Sequence, residues 1–119
     1  MTTRTFRITI RGVFSGLTAD QRIELLAHAA EHDVLSAAFT PEGHLSYDIA
    51  ARDAFTFRFA DTGETDEDIL LATERAEYAA KAWLDARGYG YKNLRSSADD
   101  LSQAPMSKRQ RQAAARLNG

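Results

Sequence analysis

His28-Ala29-Ala30-Glu31-His32 places two imidazoles four residues apart with a carboxylate between them, the H-x-x-E-H pattern of inverted zinc peptidases. On one helical face, two such histidines hold a zinc ion while the carboxylate serves as base. That chemistry also needs a third ligand from a second helix of a much larger catalytic domain. Two solvated histidines at a helix end are the commoner arrangement, and no metal or cofactor is expected.

Arginines supply the next candidate. Arg7 and Arg11 alternate with Phe6, Ile8 and Ile10, and Arg58 stands between Phe57 and Phe59. Side chains along a strand point to opposite faces in turn, so the arginines share a face opposite the apolar row. A guanidinium binds phosphate or carboxylate through a planar fork of donors. Arg7, Arg11 and Arg58 are therefore candidate anion-binding residues. The competing reading is a set of cross-strand salt bridges with Asp48, and that duller arrangement is the commoner one. RNA-binding sheets stack bases on exposed aromatics, and the exposed row of these strands offers no Phe or Tyr. It is also too polar for an apolar sheet-to-sheet dimer.

Other clusters offer less. Arg87-Gly88-Tyr89-Gly90-Tyr91-Lys92 is punctuated by glycine but lacks the spacing of a phosphate loop, so it reads as a helix stop with two anchoring tyrosines. The serines have no base at any diagnostic spacing. His44 and Asp48 share a strand face but stand roughly 13 Å apart along it. Lys108, Arg109 and Arg111 in the C-terminal segment would make weak, salt-dependent contacts to a nucleic-acid backbone, or serve as a solvated end.

These residues need elements to position them. A strand is expected over 5–13, ending at Gly12 and Gly16. Thr18-Ala19-Asp20-Gln21 reads as a capping box opening a helix over 19–32, with Ile23, Leu26, Ala27, Ala30 and Val34 at helical spacing. Residues 36–40 are a doubtful short strand. Pro41-Glu42-Gly43 is a turn, followed by strands over 44–50 and 54–60. Acidic residues from Asp61 to Asp68 suit a helix start, with Thr65 as cap. The long helix that follows runs to about Arg87 with a stripe of Ile69, Thr73, Ala76, Ala80, Trp83 and Leu84, and stops at Gly88. A last strand covers 91–97. Strand, helix, strands, long helix, strand is the split βαβ pattern of a ferredoxin-like α+β sandwich, an antiparallel sheet with two helices on one face. The expected organisation is one such domain over 1–100 and a basic tail or short helix over 101–119.

Composition agrees. The chain is 44% hydrophobic and 27% charged, ordinary for a folded protein. It has no cysteine, which removes disulfides and thiolate chemistry. No apolar stretch approaches the roughly 18 residues of a membrane span. No signal-peptide core precedes the first strand, so the cytoplasm is the expected compartment. The net charge of −2 hides an uneven distribution: the last nineteen residues hold four cations and no carboxylate.

Arg4-Thr5-Phe6-Arg7, Gly16-Leu17-Thr18, Ala30-Glu31-His32-Asp33-Val34-Leu35, Thr40-Pro41-Glu42-Gly43-His44-Leu45, Phe55-Thr56-Phe57-Arg58-Phe59 and Gly88-Tyr89-Gly90-Tyr91-Lys92 resemble an actinobacterial family, domain of unknown function 6204. The resemblance spans nearly the whole chain. It implies a small cytoplasmic bacterial protein, and it implies no reaction, cofactor or partner. The residues themselves favour a non-catalytic binding or accessory module that holds an anionic partner on the arginine face or the tail. The alternative is a ligand-binding or enzymatic homo-oligomer with a pocket near Tyr47, Tyr89 and Tyr91.

Overall fold

The computed structural model describes residues 3–101. Lys108, Arg109 and Arg111 lie outside the described residues. The elements run β1 (Arg4–Phe14), α1 (Ala19–Ala27), β2 (His44–Tyr47), β3 (Ala54–Gly63), α2 (Asp68–Ala86) and β4 (Tyr91–Asp100). The strands form one sheet in the spatial order β2-β3-β1-β4, and every neighbouring pair is antiparallel.

Alternation along the strands sorts the two faces. Phe6, Ile8 and Ile10 are completely buried, and Ile8 and Ile10 lie opposite Phe59 and Phe57 on β3. Leu45 and Tyr47 extend this apolar face onto β2, opposite Phe57 and Phe55. Helix α2 packs over it with Ala72, Ala76, Ala80 and Leu84, a row four residues apart. Three alanines let the helix sit close to the aromatic sheet. The expected stripe shares Ala76, Ala80 and Leu84 with this row, while Ile69 and Trp83 are only partly buried.

Helix starts follow their local chemistry. The Gln21 amide donates to Thr18 Oγ1 at 3.1 Å, and the Thr18 amide donates to Gln21 Oε1 at 2.9 Å, which makes the capping box. Before α2, Asp68 Oδ2 accepts from the amides of Glu64 and Thr65, and the Asp68 amide donates to Thr65 Oγ1 at 3.3 Å. These backbone bonds hold the Asp68 carboxyl below the usual aspartate range.

Several expected boundaries move. Helix α1 stops at Ala27, and residues 29–32 and 34–36 form two short 3-10 turns. Of α1, only Leu25 is buried; Ile23, Leu26 and Val34 are exposed. The Tyr47 hydroxyl donates to the Leu25 carbonyl at 2.6 Å and so ties this side of the helix to β2. The doubtful strand over 36–40 reduces to one parallel bridge between Thr40 and Phe59. Strand β2 ends at Tyr47, so Asp48 lies beyond it. Strand β4 continues through Asp99 and Asp100, because Phe6 and Arg7 on β1 pair with them.

Two glycines are required by close contacts. Gly43 closes the turn after Thr40 at φ 88°, and a Cβ there would stand 2.3 Å from the Phe59 ring. Gly12 lies under Phe55, whose ring a Cβ would meet at 2.6 Å.

Candidate anion-binding site

The uncovered face of the sheet carries the arginines. Arg11 on β1 lies opposite Thr56 of β3 on one side and Arg95 of β4 on the other. Thr9 lies between Arg58 and Ser97. Strand β4 reaches this register through a bulge. Between the pairs Arg11–Arg95 and Val13–Lys92 it carries one extra residue, and Asn93 adopts the left-handed conformation, φ 57°. The bulge sends Leu94 toward the core, where it closes over Gly12, and leaves Arg95 on the open face.

A concavity of about 750 Å³ opens on this face. Its charged walls are Arg11, Arg52, Arg58 and Arg95 against one carboxylate, Asp48. Ser46, Thr56 and Asn93 add polar groups. Arg58 is anchored: its Nη1 donates to Ser46 Oγ at 2.6 Å, and Ser46 is itself 2% exposed. The remaining donors of that guanidinium make no other side-chain bond among the described residues.

Ion pairing divides the arginines into two groups. Arg22 grips Asp53 through two bonds of 2.9 and 2.8 Å, Arg75 pairs with Asp61 at 2.8 Å, and Arg4 pairs with Asp66 and Asp100. The Arg22 guanidinium holds the Asp53 carboxyl below its ordinary range. By contrast, Arg7, Arg11, Arg52, Arg58 and Arg95 make no ion pair among the described residues. Asp48 lines the concavity without pairing to any of them. Among the described residues, the expected cross-strand salt bridges with Asp48 are therefore not formed: Asp48 falls past the end of β2, out of the register that would aim it.

Arg7 stands apart from Arg11 and Arg58. It shares their face but lies opposite Asp99 and Ala60, outside the concavity. Its guanidinium covers the Phe39 ring at 5.0 Å. Phe39 reaches Arg7 from the loop before β2, so the absence of aromatics in the strand rows does not describe the whole neighbourhood. Sequence reading missed Arg52 and Arg95. Arg52 sits in a tight connection with no periodicity, and the bulge breaks the alternation that would have placed Arg95.

The other candidates separate. His28 caps the end of α1 and His32 lies in the following 3-10 turn, so the pair does not share an α-helical face. His32 Nδ1 is within 2.9 Å of the Leu45 carbonyl. Among the described residues, no cluster of three His, Asp or Glu is placed to hold a metal ion. Tyr47 and Tyr89 line a smaller cleft on the helix side, and Tyr91 is not part of it. Burial, with Asp85 beside it, raises the Tyr91 hydroxyl above the ordinary tyrosine value.

The fold and site define a small α+β protein with a four-stranded antiparallel sheet, one face covered by helices and the other lined with arginines that make no ion pair among the described residues. The chain belongs to DUF6204, a family of unknown function whose model matches residues 1–112. No curated protein and no solved structure matches it. No helix among the described residues is long and apolar enough to cross a membrane.

Proposed function

We propose that this protein is a non-catalytic binding module that holds a small anionic ligand, a phosphate or carboxylate group, in the arginine concavity. One observation carries the reading: Arg11, Arg52, Arg58 and Arg95 line one concavity with a single carboxylate, Asp48, and make no ion pair among the described residues. Four guanidinium groups repel one another, and an oxyanion is the natural counter-charge. The residues that would bind it are Arg11, Arg58 and Arg95, with Arg52 closing from the loop and Ser46 orienting Arg58. Arg7 lies too far along β1 to share a small ligand and would extend the site only for a longer polyanion.

We read the architecture as a ferredoxin-like sandwich, on the element order and the 2-3-1-4 strand order. We place the protein in the cytoplasm of a bacterium, in keeping with the family resemblance and with a polar sheet face that needs water. In the alternative reading, a ligand-binding or enzymatic homo-oligomer, the pocket would draw on Tyr47 and Tyr89, which line the helix-side cleft, and not on Tyr91, which does not.

The test is calorimetric titration with inorganic pyrophosphate at low salt. Each charge-assisted hydrogen bond to an ionised group is worth about 1.5–3 kcal/mol, so Arg58→Ala should weaken binding roughly ten- to hundredfold. Unchanged affinity in that variant would sink the proposal.

A further inference from the structure

The helix side of the molecule carries a second cleft of opposite character. It holds about 390 Å³ between the end of α1 and the C-terminal turn of α2. Its polar lining is Glu24, His28, Glu31, His32 and Arg87, and its aromatic lining is Trp83 with the buried Tyr47 and Tyr89. We propose that this cleft binds a small organic cation, an alkylguanidinium or alkylammonium group, and that Arg87 is its internal placeholder.

The placement of Arg87 is the first observation. Its guanidinium carbon stands 3.9 Å from the centroid of the Trp83 ring, and its Nη1 donates to the Trp83 carbonyl at 3.2 Å. The indole face is thus already a seat for a planar cation, held by attraction between positive charge and the electron-rich ring. Arg87 is exposed and follows the last residue of α2, so it can swing into water without disturbing the core.

Other residues of the lining supply acceptors. Burial and then the Glu24 charge raise the Tyr89 hydroxyl above the ordinary tyrosine value, and Glu31 faces His28 Nδ1 at 3.4 Å. His32 uses Nδ1 on the Leu45 carbonyl, which in the neutral ring leaves Nε2 as a further acceptor. The His32 ring lies 5.2 Å from Tyr47 and meets Trp83 edge-on at 6.3 Å, so it belongs to the aromatic lining. The field of the carboxylates reaches Tyr47. Burial first, then Tyr89, Glu31 and Glu24, push the Tyr47 hydroxyl up to about 12. Aromatic faces, two carboxylates and a ring nitrogen favour a cation with several N–H donors. They disfavour the oxyanion proposed for the arginine face, so the two sites are independent.

Trp83 is the only tryptophan of the chain, so its fluorescence reports this cleft alone. The full chain would be titrated with n-propylguanidinium chloride at constant ionic strength, with n-propylurea as the neutral probe of the same shape. Removing the placeholder in Arg87→Ala should tighten propylguanidinium binding about three- to thirtyfold over wild type. Arg87→Gln, which keeps a donor for the Trp83 carbonyl, should behave alike and guards against a folding defect in the alanine variant. Adding Glu24→Gln to either should reverse the gain. Three results would overturn the proposal: no saturable change in Trp83 emission in either folded variant, equal binding of propylurea, or no weakening on Glu24→Gln.

Discussion

Arg95→Thr should make the protein more stable. Arg11 and Arg95 are directly opposite each other on β1 and β4, and neither has a carboxylate partner among the described residues. Like charges at facing positions of an antiparallel pair are unfavourable. Two unit charges about 6 Å apart in water repel by roughly 0.7 kcal/mol. Threonine also suits a half-exposed strand, adding a few tenths of a kcal/mol. The gain is therefore about 1 kcal/mol, or a rise in melting temperature of about 4–8 °C for a domain near this size. Only the charge part depends on salt: screening shortens from about 30 Å at 0.01 M to about 3 Å at 1 M. Thermal melts of both proteins at those two salts separate the contributions, and most of the gain should vanish at the higher one. Arg22→Gln supplies a control of opposite sign, because it removes the bidentate pair with Asp53. A lower melting temperature for Arg95→Thr at low salt would refute the reasoning, since it would make Arg95 a structural partner rather than a held-back charge.

Three further outcomes follow from the fold. Gly12→Ala should lower stability by about 1–3 kcal/mol in urea melts, because its Cβ would stand 2.6 Å from the Phe55 ring and 2.8 Å from Leu94. Tyr47→Phe leaves the Leu25 carbonyl without its donor and should cost about 1–3 kcal/mol near neutral pH. The Tyr47 pKa is raised from 10.0 to about 12 on folding, so the folded chain holds this proton where the unfolded chain has lost it. Wild-type stability should therefore fall as pH climbs through that window, more steeply than in Tyr47→Phe, as chemical denaturation at stepped alkaline pH would show. For Asp68 the sign is reversed: its carboxyl is held low by the Glu64 and Thr65 amides, so its contribution is full above the unfolded aspartate range and is lost as pH falls through the folded value. Melting curves of Asp68→Asn and wild type should converge in acid and separate at neutral pH.

Much of this architecture is legible in the residues. Strands β1 and β3 declare themselves because each has one buried and one wet face, which forces strict alternation. Thr18 and Gln21 mark the start of α1, and the turn at Gly43 follows from its neighbours. What is not legible depends on contacts distant in sequence. The buried side of α1 carries Leu25, tied to Tyr47 twenty-two residues away, and no periodicity in so short a helix can reveal it. The alanine row of α2 looks weaker in sequence than the stripe containing Ile69 and Trp83, yet small side chains are what a close aromatic sheet admits. At the arginine face, Arg11 and Arg58 are readable from alternation alone. Arg95 is hidden by the bulge at Asn93, Arg52 by its loop, and the idleness of Asp48 by the early end of β2.

The most direct test of the binding proposal is calorimetric titration of inorganic pyrophosphate into the wild-type protein and the Arg11→Ala/Arg95→Ala double variant at low salt. The arginine-face account predicts saturable binding to wild type that weakens as salt rises and is lost in the double variant, with the variant's melting temperature at or above wild type. Equal binding by the two proteins, or no binding by a folded wild type, would contradict it.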